Sequence, residues 1–162
     1  ATTDVLTQSS NRRYFFDSAE QAFRDCKATS TPLAFLLLDV DDFKKINDVY
    51  GHQVGDVVLQ RIAQCGAGAL RRGDLFGRIG GEEFAVLLPG CDENMARQIG
   101  ERLQREVQRL RFNEGEHFFS VTISQGLTLL QPDDQNLSAL YSRSDAALYQ
   151  AKRTGKDRIV QG

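Results

Sequence analysis

Leu33-Ala34-Phe35-Leu36-Leu37-Leu38 is an unbroken apolar run. A strand with one face in water alternates apolar and polar residues, so a run without alternation reads as a strand covered on both faces. Thr31-Pro32 separates it from a first helix with Phe15, Ala19, Ala22, Phe23 and Cys26 on one face and Asn11 as cap. Asp39 and Asp41 are expected just past the strand's C-terminal end. Phe43 to Tyr50 reads as a short helix ended by Gly51, and Asp56 to Leu70 as a longer one. Met95, Ala96, Ile99, Leu103, Val107 and Leu110 recur at helical spacing behind Asp92 as a cap. Phe118 to Ser124 and Gly126 to Leu130 read as strands. Leu137, Leu140, Tyr141, Leu148 and Ala151 mark a last helix, and Arg158-Ile159-Val160 a short final strand. Strands and helices alternating around a covered strand predict an α/β (α+β) fold, and the length predicts a single domain over residues 1–162.

A second stretch, Arg78-Ile79-Gly80-Gly81-Glu82-Glu83-Phe84, lies between the strand-like runs 74–79 and 84–88. A glycine pair there signals a hairpin, and its glycines permit a tight turn with positive φ. Two adjacent carboxylates at the tip are either solvated charge or half of a site for a divalent metal and a phosphate.

The bulk numbers narrow the classes. Formal net charge is −2, so no basic field argues for long nucleic acid. No apolar run is long enough to span a membrane, and the residues from Ala1 show no basic region followed by an apolar one, so no signal peptide is expected. Cys26, Cys65 and Cys91 are widely spaced without a C-x-x-C pattern and read as reduced, mostly buried thiols of a cytoplasmic protein. With only His52 and His117 present, a histidine-rich zinc site is not expected.

Asp39-Val40-Asp41-Asp42-Phe43-Lys44-Lys45 follows the covered strand. Alone, an Asp in that place is more commonly a helix cap or turn former. Brought together with Glu82 or Glu83 it becomes a hard-oxygen site, and magnesium favours one or two carboxylates plus substrate phosphates. Lys44 can reach a triphosphate, whereas Lys45 reads as a solvated helix face. Lys152 and Lys156, around Thr154-Gly155, are either a phosphate clamp or the charge complement of a helix C-terminus. Asn47 and Asp56 are caps or turn residues, or readers of a base edge; a carboxylate at 56 accepts from the N1–H and exocyclic amine of guanine but faces acceptors on adenine.

These residues carry a resemblance. Gly80-Gly81-Glu82-Glu83-Phe84, Asn11-Arg12-Arg13, the run 39–48, Gly51-His52, Gly55-Asp56, Val121-Thr122-Ile123-Ser124 with Gly126, the run 144–152 and Gly155-Lys156 stand in order. The chain thereby resembles the GGDEF family of diguanylate cyclases over nearly its whole length. The resemblance implies a palm-like, mainly antiparallel sheet of about five strands surrounded by helices, with the glycine motif on a β-hairpin. It implies condensation of two GTP into cyclic di-GMP and two pyrophosphates across a homodimer of domains, with Mg²⁺ or Mn²⁺. Asp39, the Val40 carbonyl and Glu82 would hold metal. Glu83 would hold a second metal or help deprotonate the 3′-hydroxyl. Lys44 would steady the phosphates with Lys152 and Lys156, Asn47 and Asp56 would read guanine, and Phe43 and His52 would lie near the nucleotide.

By the same resemblance Arg71-Arg72-Gly73-Asp74 is an inhibitory product site, with Arg102 as an additional arginine; from the residues alone it is a local Arg–Asp pair. The family usually opens Asp-x-Leu-Thr-Gly-Leu-x-Asn-Arg-Arg, where this chain has Gln8 and Ser9 in place of Gly-Leu. Gln125 also stands where the family usually has a small or apolar residue. A sensory or dimerising module is expected outside the 162 residues. The competing expectation is a catalytically silent domain that binds GTP or cyclic di-GMP and regulates a partner.

Overall fold

The computed structural model describes residues 1–162, except for the side chain of Glu114. The chain runs α1 (Arg12–Thr29), β1 (Leu33–Val40), α2 (Phe43–Tyr50), α3 (His52–Ala69), β2 (Leu75–Arg78), β3 (Glu83–Pro89), α4 (Glu93–Arg109), β4 (Phe112–Glu114), β5 (His117–Phe119), β6 (Ile123–Leu129), α5 (Leu137–Arg153) and β7 (Ile159–Gln161). The central sheet has five strands in the order β2-β3-β1-β6-β7, and β4-β5 forms a separate ribbon. β1 pairs antiparallel with β3 and β6; only β7 runs parallel to its neighbour. The mainly antiparallel five-stranded sheet expected from the resemblance is therefore present.

β1 is central because it can be nowhere else: all eight of its residues are buried. Successive side chains of a strand point to opposite faces. Ala34, Leu36, Leu38 and Val40 pack with Val58, Leu59 and Ile62 of α3 and with Ala96, Leu103 and Val107 of α4. Leu33, Phe35 and Leu37 pack with Phe15, Ala19 and Phe23 of α1 and with Leu137, Leu140 and Leu148 of α5. Odd residues of β1 thus face α1 and α5, and even residues face α3 and α4. This parity decides the environment of every acid at the strand's end.

Five readings change. Asp39 lies inside β1 rather than past it; Asp41 is the first residue beyond. α3 begins at His52, a turn before Asp56, because Gly51 (φ 95) terminates α2 and opens α3 in one residue. The strands expected at 118–124 and 126–130 are instead β5 and β6, with Gln125 inside β6 and fully buried. Gln125 does not break the strand because its amide nitrogen donates to the Gly100 carbonyl at 2.9 Å and to Gln104 Oε1 at 2.8 Å. The β4 strand was not expected. Finally, neither Gly80 nor Gly81 adopts positive φ. The turn is closed by side chains: Arg78 donates to the Gly80 and Gly81 carbonyls at 2.9–3.2 Å, its guanidinium is anchored on Asp4, and Arg12 donates to the Ile79 carbonyl. All three cysteines are free thiols, with Cys26 and Cys91 buried.

Away from the acids, Arg143 of α5 grips Asp134 through both carboxylate oxygens at 2.7 and 2.8 Å and also donates to Thr128 Oγ1 and the Leu129 carbonyl. The Arg143 hydrogen bond holds the Asp134 carboxyl below its ordinary value of 3.8, with burial opposing. A lowered folded pKa gives stability that is complete above the unfolded value and is lost as pH falls through the folded one. Asp134→Asn should therefore cost about 2 kcal/mol at neutral pH. In urea titrations the gap to the parent should narrow as pH falls below the ordinary carboxylate range and the Asp134 carboxylate is protonated; a gap independent of pH would assign the cost to packing instead.

Candidate active site

Asp39 sits directly opposite Glu83 across the β1–β3 ladder. Opposite residues share a face, and odd parity makes it the α5 face. Their partners follow: Lys152 of α5 forms an ion pair with Asp39 Oδ2, and the Tyr141 hydroxyl of α5 donates to Glu83 Oε1 at 3.5 Å. Asp39, Glu83, Tyr141, Asp145 and Lys152 line one cavity of about 480 Å³.

Glu82, one residue earlier, goes to the other side. It lines a second cleft of about 340 Å³ with Phe43, Lys44, Asn47, His52, Asp56, Arg78 and Gly81. Its backbone carbonyl accepts from the Val40 amide at 3.2 Å, which ties the hairpin tip to the end of β1. The two adjacent glutamates are thus parted by the sheet, with Asp39 electrostatically coupled to both. A Cβ at Gly81 would meet no atom within 4 Å, so packing does not demand this glycine and the space above it is open to the cleft.

The second cleft exists because α2 and α3 close on each other at Gly55. A Cβ there would lie 1.9 Å from Asn47 Oδ1 and 3.2 Å from the Phe43 ring. Asn47 Oδ1 is buried without a hydrogen-bond donor. Its amide nitrogen is then the end left to a ligand, and it would donate to an acceptor such as guanine O6 or N7. Asp56 on the same cleft is the complementary acceptor.

Burial raises the Asp39 carboxyl above the ordinary value; Lys152 opposes this, and Glu82 and Asp41 add to it. Burial also raises Glu83, with Asp39 and Asp145 adding and Lys152 and Tyr141 opposing. Asp39 Oδ1 is buried and has no hydrogen-bond partner. An orphaned carboxylate oxygen among acids fits a hard cation. Among the described residues no three His, Cys, Asp or Glu side chains gather into a group that could hold a metal ion.

Other candidates fall in three groups. Lys44 lines the second cleft but its ammonium rests on Asp48 at 2.9 Å. Lys156 rests on Asp42 at 2.6 Å, and Asp42, the N-cap of α2, is held at φ 56. Arg71 and Asp74 form a two-pronged pair at 2.8 and 3.0 Å, with Arg71 also donating to the Pro89 carbonyl. That pair marks the far end of β2 and β3, roughly 20 Å from Glu83 at about 3.3 Å per residue. Arg102 is exposed on α4, and among the described residues it makes no hydrogen bond to the Arg71–Asp74 pair.

Sequence reading missed Tyr141, counted only as an apolar helix position, and the part Arg78 plays in closing the turn. Asp41 has a different duty from its neighbours: it accepts from Thr122 Oγ1 and Ser124 Oγ at 2.6 Å and from the Asp157 amide at 3.0 Å. Its oxygens are taken up in tying the start of β6 and the loop after α5 to the end of β1.

A family model described as "Diguanylate cyclase, GGDEF domain" matches residues 1–158. The probable diguanylate cyclase DgcT of Escherichia coli is 39% identical over 159 residues, covering 97% of this chain and 35% of that protein. The response regulator PleD of Caulobacter vibrioides is 38% identical over 162 residues, covering 99% of this chain and 36% of that protein. The chain spans about a third of the length of these curated relatives. Among solved structures, the GGDEF domain of DgcB from Caulobacter crescentus in complex with c-di-GMP matches with TM-score 0.96 at 31% identity, covering 99% of this chain and 95% of that one. The active GGEEF domain of a diguanylate cyclase from Vibrio cholerae matches with TM-score 0.88 at 32% identity, covering 93% and 96%.

Proposed function

The chain belongs to the GGDEF family of diguanylate cyclases, and on that premise we propose that it condenses two GTP molecules into cyclic di-GMP and two pyrophosphates, acting in the cytoplasm as one domain over its 162 residues. The observation that carries this reading is the division of the hairpin's two glutamates. Glu82 opens onto a cleft holding Asn47 and Asp56, while Glu83 lies behind it against Asp39.

In the proposed reaction guanine enters the α2–α3 cleft, where Asp56 accepts from N1–H and the amine, and Asn47 donates. The triphosphate extends toward Lys152 and Lys156, which exchange Asp39 and Asp42 for phosphate oxygens; Lys44 does the same from Asp48. A magnesium or manganese ion, when bound, would be held by Asp39, Glu82 and the Val40 carbonyl and would neutralise charge at the phosphates. Glu83 takes the proton from the partner nucleotide's 3′-hydroxyl, a role suited to a carboxylate raised by burial. The 3′-oxygen then bonds to the α-phosphorus as the bond to pyrophosphate breaks. The step occurs twice, once in each half of a C2 pair, because the product is itself two-fold symmetric. A lone domain binds GTP but turns it over slowly, and enforced pairing raises the effective concentration of the second half-site.

The test is direct. The chain fused to a dimerising coiled coil should form cyclic di-GMP from GTP and Mg²⁺, read by chromatography, and the unfused chain far less. A fusion that binds GTP without forming product would support the second reading, a nucleotide-binding regulatory domain. That reading draws on the closed Lys152–Asp39 and Lys156–Asp42 pairs.

We further propose that cyclic di-GMP feeds back at Arg71 and Asp74, with Arg102 assisting. Arg71 would turn from Asp74 to the product, leaving the carboxylate for the guanine N1–H side. Arg71→Ala should weaken product inhibition by about tenfold with little change in initial rate. Inhibition equal to the parent's would remove the site.

A further inference from the structure

The loop after α5 is held in a costly shape. Gly155, Lys156 and Asp157 have φ of 131, 62 and 50 in succession. A non-glycine residue in the left-handed region costs free energy and persists only where its surroundings enforce it. The enforcement comes from a buried amide chain between β6 and α4. Gln125 is fully buried in β6 and Gln104 nearly so in α4. Gln125 Nε2 donates to Gln104 Oε1 at 2.8 Å; Gln104 Nε2 donates to Asp157 Oδ1 at 2.7 Å and to the Ile123 carbonyl at 2.7 Å. Gln108 Nε2 adds a second donor on Asp157 Oδ1 at 2.8 Å.

The chain has a direction. Both N–H groups of Gln104 and both of Gln125 are used, and the last acceptor is a carboxylate. Reversing either amide would set carbonyl oxygens against each other, so the order amide, amide, carboxylate is the one the donors permit. The same Asp157 presents its backbone amide to Asp41 at 3.0 Å, and Lys156 beside it reaches Asp42 at 2.6 Å. Asp157 thereby joins two networks, one buried under α4 and one at the end of β1.

We propose that Gln125, Gln104 and Asp157 form a positioning relay that holds the loop 155–158 in its left-handed form and so places Lys156 for a polyphosphate. The proposal rests on the GTP reading above. It predicts an effect confined to the phosphates, because no member of the relay lines the α2–α3 cleft.

The experiment compares binding of GTP and GMP to the 162-residue chain by calorimetry. Asp157→Ala should weaken GTP by about tenfold, the scale of one charge-assisted hydrogen bond, and leave GMP within about twofold. Asp157→Asn keeps an acceptor and a residue tolerant of positive φ and should restore GTP binding. Gln104→Met removes the donor at similar volume and gives the same selective loss if Asp157→Ala does not fold. Equal losses for GTP and GMP, or no loss in a variant whose thermal stability has fallen, would overturn the relay. A parent chain that binds neither nucleotide would instead overturn the GTP reading itself.

Discussion

Glu83→Gln in the dimerised protein is expected to lower turnover by a hundredfold or more, roughly the contribution of a general base, while raising its melting temperature. Both signs come from the same burial. The Glu83 carboxyl is raised by desolvation and by Asp39 and Asp145. An acid whose folded pKa is raised binds its proton more tightly in the folded state, so its ionised form destabilises the fold as pH rises above the unfolded value. A neutral isostere removes that cost and the reactivity together. Glu82→Gln should behave differently. It belongs to the cleft side, and its loss should appear as a higher magnesium requirement. Turnover and calorimetry of the two variants at several Mg²⁺ concentrations check this. A Glu83→Gln protein with parental turnover would exclude Glu83 as the base, and one with a lowered melting temperature would mean that Lys152 and Tyr141 stabilise its charge by more than burial and the neighbouring acids oppose it.

Gly126→Ala is expected to be the most damaging single methyl group in the chain. A Cβ at 126 would lie 2.1 Å from the Ser144 carbonyl oxygen and 2.5 Å from the Leu148 amide nitrogen. Both are backbone atoms of α5, so no rotamer change relieves the clash and the helix must lift from β6. Overpacking of side chains costs about 1–3 kcal/mol, and a backbone clash belongs at or above the top of that range. The melting temperature should fall by about 6 °C or more, at about 2–4 °C per kcal/mol for a chain of this size. Because α5 carries Tyr141, Asp145 and Lys152, folded molecules that remain should also bind GTP less well. Gly68→Ala is the control: it is exposed in α3 with no atom within 4 Å of the added Cβ. It should stabilise by about 0.5 kcal/mol through helix propensity. Equal stability of the two variants would mean that α5 does not press on β6.

Much of the fold was legible because its signals are local. The apolar run 33–38 announces a strand covered on both faces, and helix caps at Asn11 and Asp92 accept the amides expected of them. The interrupted stretch after Phe118 was harder. Gln125 looks like a break until its two donors find acceptors on α4, 21 and 25 residues away in sequence. Positive φ at Gly80-Gly81 was a reasonable reading of the glycines, but Arg78 and Arg12 close the turn from outside it. No local rule foretells a turn shaped by a side chain arriving from α1.

The sequence by itself determined which chemistry is available: hard carboxylates at 39, 82 and 83, lysines at 152 and 156, a donor and an acceptor at 47 and 56, and a glycine at 55 small enough to let two helices meet. Its ordered motifs also determined the family. Only the tertiary structure decided how these groups divide. Side chains alternate along a strand by local geometry, but which residue of β3 stands opposite Asp39 depends on register between strands more than forty residues apart. That register sends Glu83 to the α5 face with Asp39, leaves Glu82 to the nucleotide cleft, and gives Asp39 an ion-pair partner 113 residues later in the chain.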